Sequence, residues 1–353
     1  MSGLRSGILR AGLDALHFTR AHRLLEPYAR GAGLIFMLHQ VCRAPRRGFA
    51  PNRILSIDPD FLEAVIGQVR GAGLDIISLD EMRRRLVARE DGRRFAVFTL
   101  DDGYRDTLTL AYPIFKRHGI PFTVYVAGTF PDGKGELWWL ALEEIIASGG
   151  SIEVDLGAGR AMFSAKTVAE KNSTFDWIYW RLRAMDEDRQ RAVIHDLCAR
   201  YRFDLAAHCR ELIMNWKELA ALAKDPLATI GAHTAGHHAL AKLPAAAARR
   251  EIEQGADRLE AKLGFRPRHL SYPYGDQSSA GPREFELARE LGFDTAVTTR
   301  KGMIFPGHVD RLTALPRVSL NGEYQALKYT ELYLSGAPFT LWNGLGLGRL
   351  DAA

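Results

Sequence analysis

The stretch Phe95-Ala96-Val97-Phe98-Thr99-Leu100-Asp101-Asp102-Gly103-Tyr104 constrains the fold of this chain more than any other. Its first six residues are apolar or β-branched and show no polar alternation, which is how a strand buried on both faces reads. The strand runs directly into two adjacent carboxylates and a glycine. Crowded negative charge at a strand end calls for a bound cation, a shared proton or an Arg partner. A solvated Asp-Asp-Gly turn would explain the same three residues taken alone.

The surrounding pattern alternates strand and helix. Gly33 to Leu38 reads as a buried strand ending at His39. Asp58 caps and Pro59 opens a helix carrying Phe61, Leu62, Val65, Ile66 and Val69 at helical spacing. Asp75-Ile76-Ile77-Ser78 is the next strand and Leu79 to Arg89 the next helix. After the Asp101 strand come a helix from about 106 to 118, stopped by Gly119 and Pro121, and a strand at Phe122 to Ala127. Further strands are read before His233, at His269 to Tyr272, at Asp294 to Thr299 and before Arg317. Such alternation predicts parallel strands joined by right-handed crossovers.

From about 132 to 215 the pattern becomes helix-rich and reads as an insertion. Trp138 and Trp139 open it just past a strand mouth, where they could stack on sugar rings, although aromatic residues of a helical insertion are more often core. At 353 residues the chain can form one large α/β domain or two average ones. The net charge of +5, with 47 basic and 42 acidic residues interspersed, is too small to argue for nucleic acid, and no nucleic-acid partner is expected, but it would help an anionic glycan approach. Cys42, Cys198 and Cys209 show no CxxC spacing and indicate neither a disulfide framework nor a zinc knuckle.

Residues 1–30 mix Leu4, Ile8, Leu9, Leu13 and Leu16 with Arg5, Arg10, Arg20 and Arg23, which predicts an amphipathic helix ending near Pro27. The segment lacks a continuous apolar run of signal-peptide length, and no stretch of the chain is long enough to span a bilayer. A cytoplasmic protein is expected, with peripheral membrane contact through residues 1–30 left open. Glycines 344, 346 and 348 lack a strand-to-helix setting and are not read as a nucleotide site.

The second chemical cluster is Gly231-Ala232-His233-Thr234-Ala235-Gly236-His237. Two histidines four residues apart share one face of a helical turn. Together with one carboxylate they suit a catalytic divalent metal that keeps positions open for water and substrate.

Thr99-Leu100-Asp101-Asp102-Gly103, His233-Thr234-Ala235-Gly236-His237 and Ser271-Tyr272-Pro273-Tyr274-Gly275 appear in this order, and together they resemble the motifs of the NodB-type polysaccharide deacetylases, carbohydrate esterase family four. The resemblance implies a distorted (β/α) barrel of about seven strands, here residues 31–353 with the insertion and with residues 1–30 as an N-terminal helical segment. It implies Asp102, His233 and His237 as ligands of a divalent metal, zinc by default, and Asp101 as the general base. The backbone N–H of Tyr274 is the implied oxyanion donor. The general acid is expected from His39, whose setting is similar to a subgroup with an N-terminal histidine, and His308 is held in reserve. Ser271 stands where the family has an Arg that pairs with the base, so Arg317 is expected to supply that guanidinium.

The implied activity is removal of N-acetyl groups from amino sugars of a polysaccharide, oligosaccharide or glycolipid. The alternatives are hydrolysis of a non-sugar amide and a glycan-binding protein without turnover.

Overall fold

The computed structural model describes residues 2–43, 48–90, 92–157 and 159–344, with side chains from Gly7 onward. Leu4, Arg5 and the glycine-rich stretch from Leu345 to Gly348 therefore fall outside the described side chains. Seven parallel strands among the described residues close into a barrel, each beside its neighbours in chain order: β1 (Gly33–Leu38), β2 (Phe95–Leu100), β3 (Phe122–Val126), β4 (Ala228–Ala232), β5 (His269–Ser271), β6 (Thr295–Lys301) and β7 (Leu315–Ser319). β7 pairs with β1, which completes the circuit. The expected strand at Asp75 forms only over Asp75–Ile76 and pairs with the start of β2 without entering the ring. The distorted barrel of about seven strands read from the motifs is the fold observed.

The absence of polar alternation in β1 and β2 has a direct cause, since every residue of both strands is buried. Leu34, Phe36, Leu38, Ala96, Phe98 and Leu100 face the surrounding helices, and Ile35, Val97, Tyr125, Val297 and Leu315 fill the interior. Pairing runs without a shift from Gly33↔Phe95 to Leu38↔Leu100. The residues that follow the two strands, His39 and Asp101, thus leave the sheet side by side, and Asp101 N–H donates to Leu38 O at 2.9 Å.

Between β3 and β4, which pair in register from Phe122↔Ala228 to Val126↔Ala232, the chain makes a long excursion. Four helices (Trp138–Ser148, Val168–Ala184, Glu187–Tyr201 and Leu205–Leu212) surround a second apolar core that includes Leu142, Ile146, Ile178, Leu182, Ile194 and Leu197, while a fifth, Trp216–Leu222, packs Leu219 and Leu222 into the main core. The excursion also holds an antiparallel hairpin, Ser151–Asp155 with Arg160–Ser164, that the helix-rich reading missed. Its first strand does alternate, with Ile152 and Val154 buried, but five residues of alternation were outweighed by their helical surroundings.

Residues 1–30 form two helices, α1 (Ser2–Phe18) and α2 (Ala21–Ala29), instead of one ending near Pro27. The break falls at Arg20, whose φ of 56° is left-handed. Pro27 lies inside α2 close to its end, where a proline removes one backbone donor and little helix remains to be disrupted. Among the described residues no helix is long and apolar enough to cross a membrane.

Candidate active site

Arg317 is among the largest fully buried side chains of the molecule. Its guanidinium grips Asp101 with two parallel bonds, Nη1 to Oδ1 at 2.7 Å and Nη2 to Oδ2 at 2.6 Å. The remaining donors are satisfied too: Nε donates to Thr298 O at 2.9 Å, Nη1 to Thr99 Oγ1 at 3.1 Å and Nη2 to Ser271 Oγ at 3.0 Å. Ser271 Oγ donates in turn to Asp101 Oδ2 at 3.3 Å. Burial alone would raise the Asp101 pKa, but the charge and hydrogen bonds of Arg317 hold it below the ordinary carboxylate value. Arg317 does not follow a strand as expected; it lies within β7 and points into the barrel, so its long side chain reaches Asp101 from below.

Asp102, one residue on, faces a different environment. Its Oδ1 is buried without a hydrogen-bond partner and lies 3.4 Å from His233 Nε2 and 3.3 Å from His237 Nε2. The Nδ1 of His233 is 2.7 Å from Ser271 O, which fixes the tautomer that turns Nε2 to Asp102. Burial opposes the Asp102 charge, but the two imidazoles bring its pKa well below the usual value. For His237 burial dominates and lowers the pKa to about 4, so the ring is neutral and its nitrogen free to donate an electron pair at neutral pH.

The expected helical turn between the two histidines is absent. Thr234 (φ 62°) and His237 (φ 60°) both take the left-handed conformation, and the loop is held by Thr234 Oγ1 accepting from His237 N–H at 3.1 Å. Glu251, on the helix Ala245–Leu263, accepts from Ala235 N–H through its backbone and from Gly236 N–H through its carboxylate. That helix approaches so closely that a Cβ on Gly255 would lie 2.3 Å from the Thr234 carbonyl carbon. Seven non-glycine residues among those described have positive φ, and four of them are Asp102, Thr234, His237 and Tyr274. Such strain persists only where the surrounding structure over-determines it, and its concentration here marks a functional site.

Tyr274, half-buried after β5, is held by residues of the excursion. Trp138 Nε1–H donates to its hydroxyl at 2.8 Å, the Trp139 ring stands edge-on to it, and the Arg183 guanidinium lies 3.8 Å over its ring. Arg183 is anchored to Asp276 Oδ2 at 2.7 Å and Ser279 Oγ at 3.0 Å. Trp138 and Trp139 are 4% and 5% exposed, so the core reading of this pair holds and neither offers a face to a sugar. Trp138→Phe is expected to destabilise the fold by about 1–3 kcal/mol, because the Tyr274 hydroxyl loses a buried donor; chemical denaturation measures it.

His39 faces the same centre. Burial lowers its pKa against the pull of Asp102 and Asp101, in that order. His308 is elsewhere: it caps its own 3₁₀ helix (Pro306–Arg311), its ring within 3.0 Å of Phe305 N. Arg183 and Thr99 had no place in the expected site. Thr99 was in plain view inside a motif, whereas nothing in the sequence around Arg183 distinguishes it from other helical arginines.

The donor set Asp102, His233 and His237 brings a carboxylate oxygen and two imidazole nitrogens within 4.8 Å of one another, all buried. Borderline divalent cations such as Zn²⁺ prefer this mixture of ligands, and the orphaned Asp102 Oδ1 fits the same purpose.

The polysaccharide deacetylase family model matches residues 161–296, a span that carries His233, His237 and Tyr274 and excludes Asp101 and Asp102. No curated protein sequence matches the chain. Among solved structures, the chain shares its fold with the Streptococcus pyogenes deacetylase PplD in complex with acetate, at 16% identity over 82% of this chain and 92% of that one, TM-score 0.54. It shares it also with IcaB from Ammonifex degensii, at 16% identity over 86% and 97%, TM-score 0.53. A de-N-acetylase from Aggregatibacter actinomycetemcomitans aligns at 12% identity over 85% and 99%, TM-score 0.54. This chain carries a carboxylate–histidine cluster at the strand ends of its closed seven-stranded barrel. The family-model match over residues 161–296 and the shared fold make the chain similar to polysaccharide deacetylases.

Proposed function

We propose that this enzyme removes N-acetyl groups from amino sugars with the help of a divalent cation, zinc by default, held by Asp102, His233 and His237. The observation that supports it most is the contrast between neighbours: Asp101 is clamped by Arg317, while Asp102 Oδ1 is left without a hydrogen bond among imidazole nitrogens. The cation supplies Lewis acidity toward water and the amide carbonyl.

Asp101 is the general base. Arg317 keeps it ionised and fixes both oxygens, so it can take a proton from the attacking water without reorienting. The backbone N–H of Tyr274 stabilises the negative charge that develops on the carbonyl oxygen as water bonds to the carbonyl carbon, its strained turn held rigid by Trp138 and Arg183. His39, on the same side as Asp101, delivers a proton to the departing sugar nitrogen as the C–N bond breaks, leaving acetate and a free amine.

The test is acetate release by the metal-loaded protein from a panel of N-acetylated sugars. Release that disappears on chelation and returns with Zn²⁺ supports the proposal; release indifferent to chelation removes the cation from the reaction. His237→Ala is expected to lower bound metal from about one per chain to a small fraction of that, since one of three protein ligands is gone. Elemental analysis reads this independently of turnover.

A further inference from the structure

The loop that carries His237 is gripped from the excursion as well as from the barrel. Helix Glu187–Tyr201 presents Glu187 and Arg191, one turn apart, to the segment 236–239. Arg191 Nη2 donates to Gly236 O at 2.8 Å, and Glu187 Oε1 accepts from Ala239 N–H at 3.1 Å. The two side chains thus bracket His237. The peptide that joins Gly236 to His237 is fixed at both ends, its carbonyl by Arg191 and its N–H by Thr234 Oγ1. That peptide sets the φ of His237, which stands at 60°. A non-glycine residue keeps this left-handed value only where its surroundings hold it there.

Arg191 is itself held. Its Nη1 lies 2.5 Å from Glu136 Oε2, and the other Glu136 oxygen is 2.8 Å from His195 Nε2, one turn along the same helix. Glu187 is buried and Arg191 half-buried. A charged group in such a setting is costly without a partner, and both find one on the backbone of the loop. The excursion also supplies the Trp139 ring, whose centroid lies 5.2 Å from that of His237. Phe130 and Tyr274 approach the same imidazole, with ring centroids at 5.7 and 4.9 Å.

We infer that Glu187 and Arg191 are positioning residues of the candidate metal centre: they hold His237 where its imidazole can share a cation with Asp102 and His233, so the helical excursion sets the metal affinity of the barrel. This rests on the reading of Asp102, His233 and His237 as ligands. Groups that orient a ligand from outside the coordination sphere contribute about 10–100-fold in metal affinity. By linkage the coupling is reciprocal, and a cation at His237 also steadies helix Glu187–Tyr201.

The Zn²⁺ affinity of the metal-stripped, full-length protein, measured by competition with a chromophoric chelator, tests this independently of turnover. Arg191→Met removes the donor to Gly236 O, and Glu187→Ala removes the acceptor of Ala239 N–H. Each is expected to bind Zn²⁺ about 10–100-fold more weakly than the wild type. Glu187→Gln keeps an oxygen for Ala239 N–H and should recover most of the affinity. Circular dichroism and thermal unfolding of the stripped proteins establish that each variant is folded at the assay temperature.

Hydrogen exchange supplies a readout that a general loss of stability would not reproduce. In the wild type, Zn²⁺ should slow amide exchange in helix Glu187–Tyr201 together with the loop 233–239. In Arg191→Met and Glu187→Ala saturated with Zn²⁺, the loop should still respond and the helix should not. Wild-type Zn²⁺ affinity in both folded variants overturns the positioning role and leaves the metal reading intact. Equal weakening in Glu187→Ala and Glu187→Gln overturns it too, because the bond to Ala239 would then not be the cause. Should Arg191→Met fail to fold, the two Glu187 variants decide by the same comparison. A wild-type protein that binds no Zn²⁺ overturns the ligand assignment and the positioning role with it.

Discussion

Asp101→Asn is expected to reduce acetate release by about 10²–10⁴-fold, the range a positioned general base contributes, while bound metal stays at the wild-type level. The split follows from the geometry. Asp102, His233 and His237 form the candidate metal cluster without Asp101, whose two oxygens are both engaged by Arg317. The amide of Asn preserves the shape and one acceptor but cannot take a proton. Metal content and turnover measured on the same preparation decide the matter: lost metal would make Asp101 a determinant of the cluster, and retained turnover would assign the base elsewhere. The variant also leaves the Arg317 charge buried without its counter-ion, so thermal unfolding must be recorded to confirm that the assayed protein is folded.

The second large effect belongs to Arg317. Removing one partner of a buried ion pair costs about 3–5 kcal/mol because the other charge is stranded, and Arg317→Met should show it in denaturant unfolding at pH 7. In the wild type the folded Asp101 pKa lies below its unfolded value of about 4. The pair's contribution to stability is therefore present above about pH 4 and lost as pH falls through the depressed folded value. In Arg317→Met burial is opposed only by the imidazoles of His233 and His39, and the Asp101 pKa is expected to rise.

Two consequences separate this from a merely weakened fold. The stability deficit of the variant should shrink as pH is lowered and Asp101 takes up its proton. The acid limb of the kcat/KM profile should move to higher pH, because the base is protonated earlier. Arg317→Lys should recover only part of either property, since an ammonium cannot form the two parallel bonds. An acid limb unmoved in Arg317→Met would separate Arg317 from the ionisation of the base.

The candidate residues of the centre were legible because they lie in short local runs. Phe95 to Gly103 carries both the strand and the two carboxylates, and the register of β1 with β2 sets His39 beside Asp101. The Pro-Tyr-Gly turn is similarly local, although its strain is not: Tyr274 and Gly275 have φ of 60° and 63°. A Cβ on Gly275 would lie 2.6 Å from Thr299 N, so the neighbouring strand β6 imposes the requirement for glycine there.

Other features had no local signal. The spacing of His233 and His237 suggested a helical turn, yet the loop is shaped by Thr234 and by Glu251 and Gly255 on a helix further along the chain. Pro27 suggested a helix end, but the actual break depends on how α1 and α2 each pack on the helix Leu327–Ser335. Trp138 and Trp139 stood at a strand mouth as if to meet substrate; the core of the excursion turned them toward Tyr274 and His237 instead.

By itself the sequence determined the alternation of strands and helices, the barrel, and the identity of the acid, base and ligand candidates, because each depends on residues near in the chain or on motif order. Only the tertiary structure decided what each group does to its neighbour. Arg317 lies 216 residues from Asp101, and Ser271 lies 170 from it. No periodicity encodes such pairs; barrel closure creates them by bringing the interior-facing side chains of β2, β5 and β7 to one point. The same closure buries Asp101 and Asp102 together, and burial makes the guanidinium on one and the imidazoles around the other decisive.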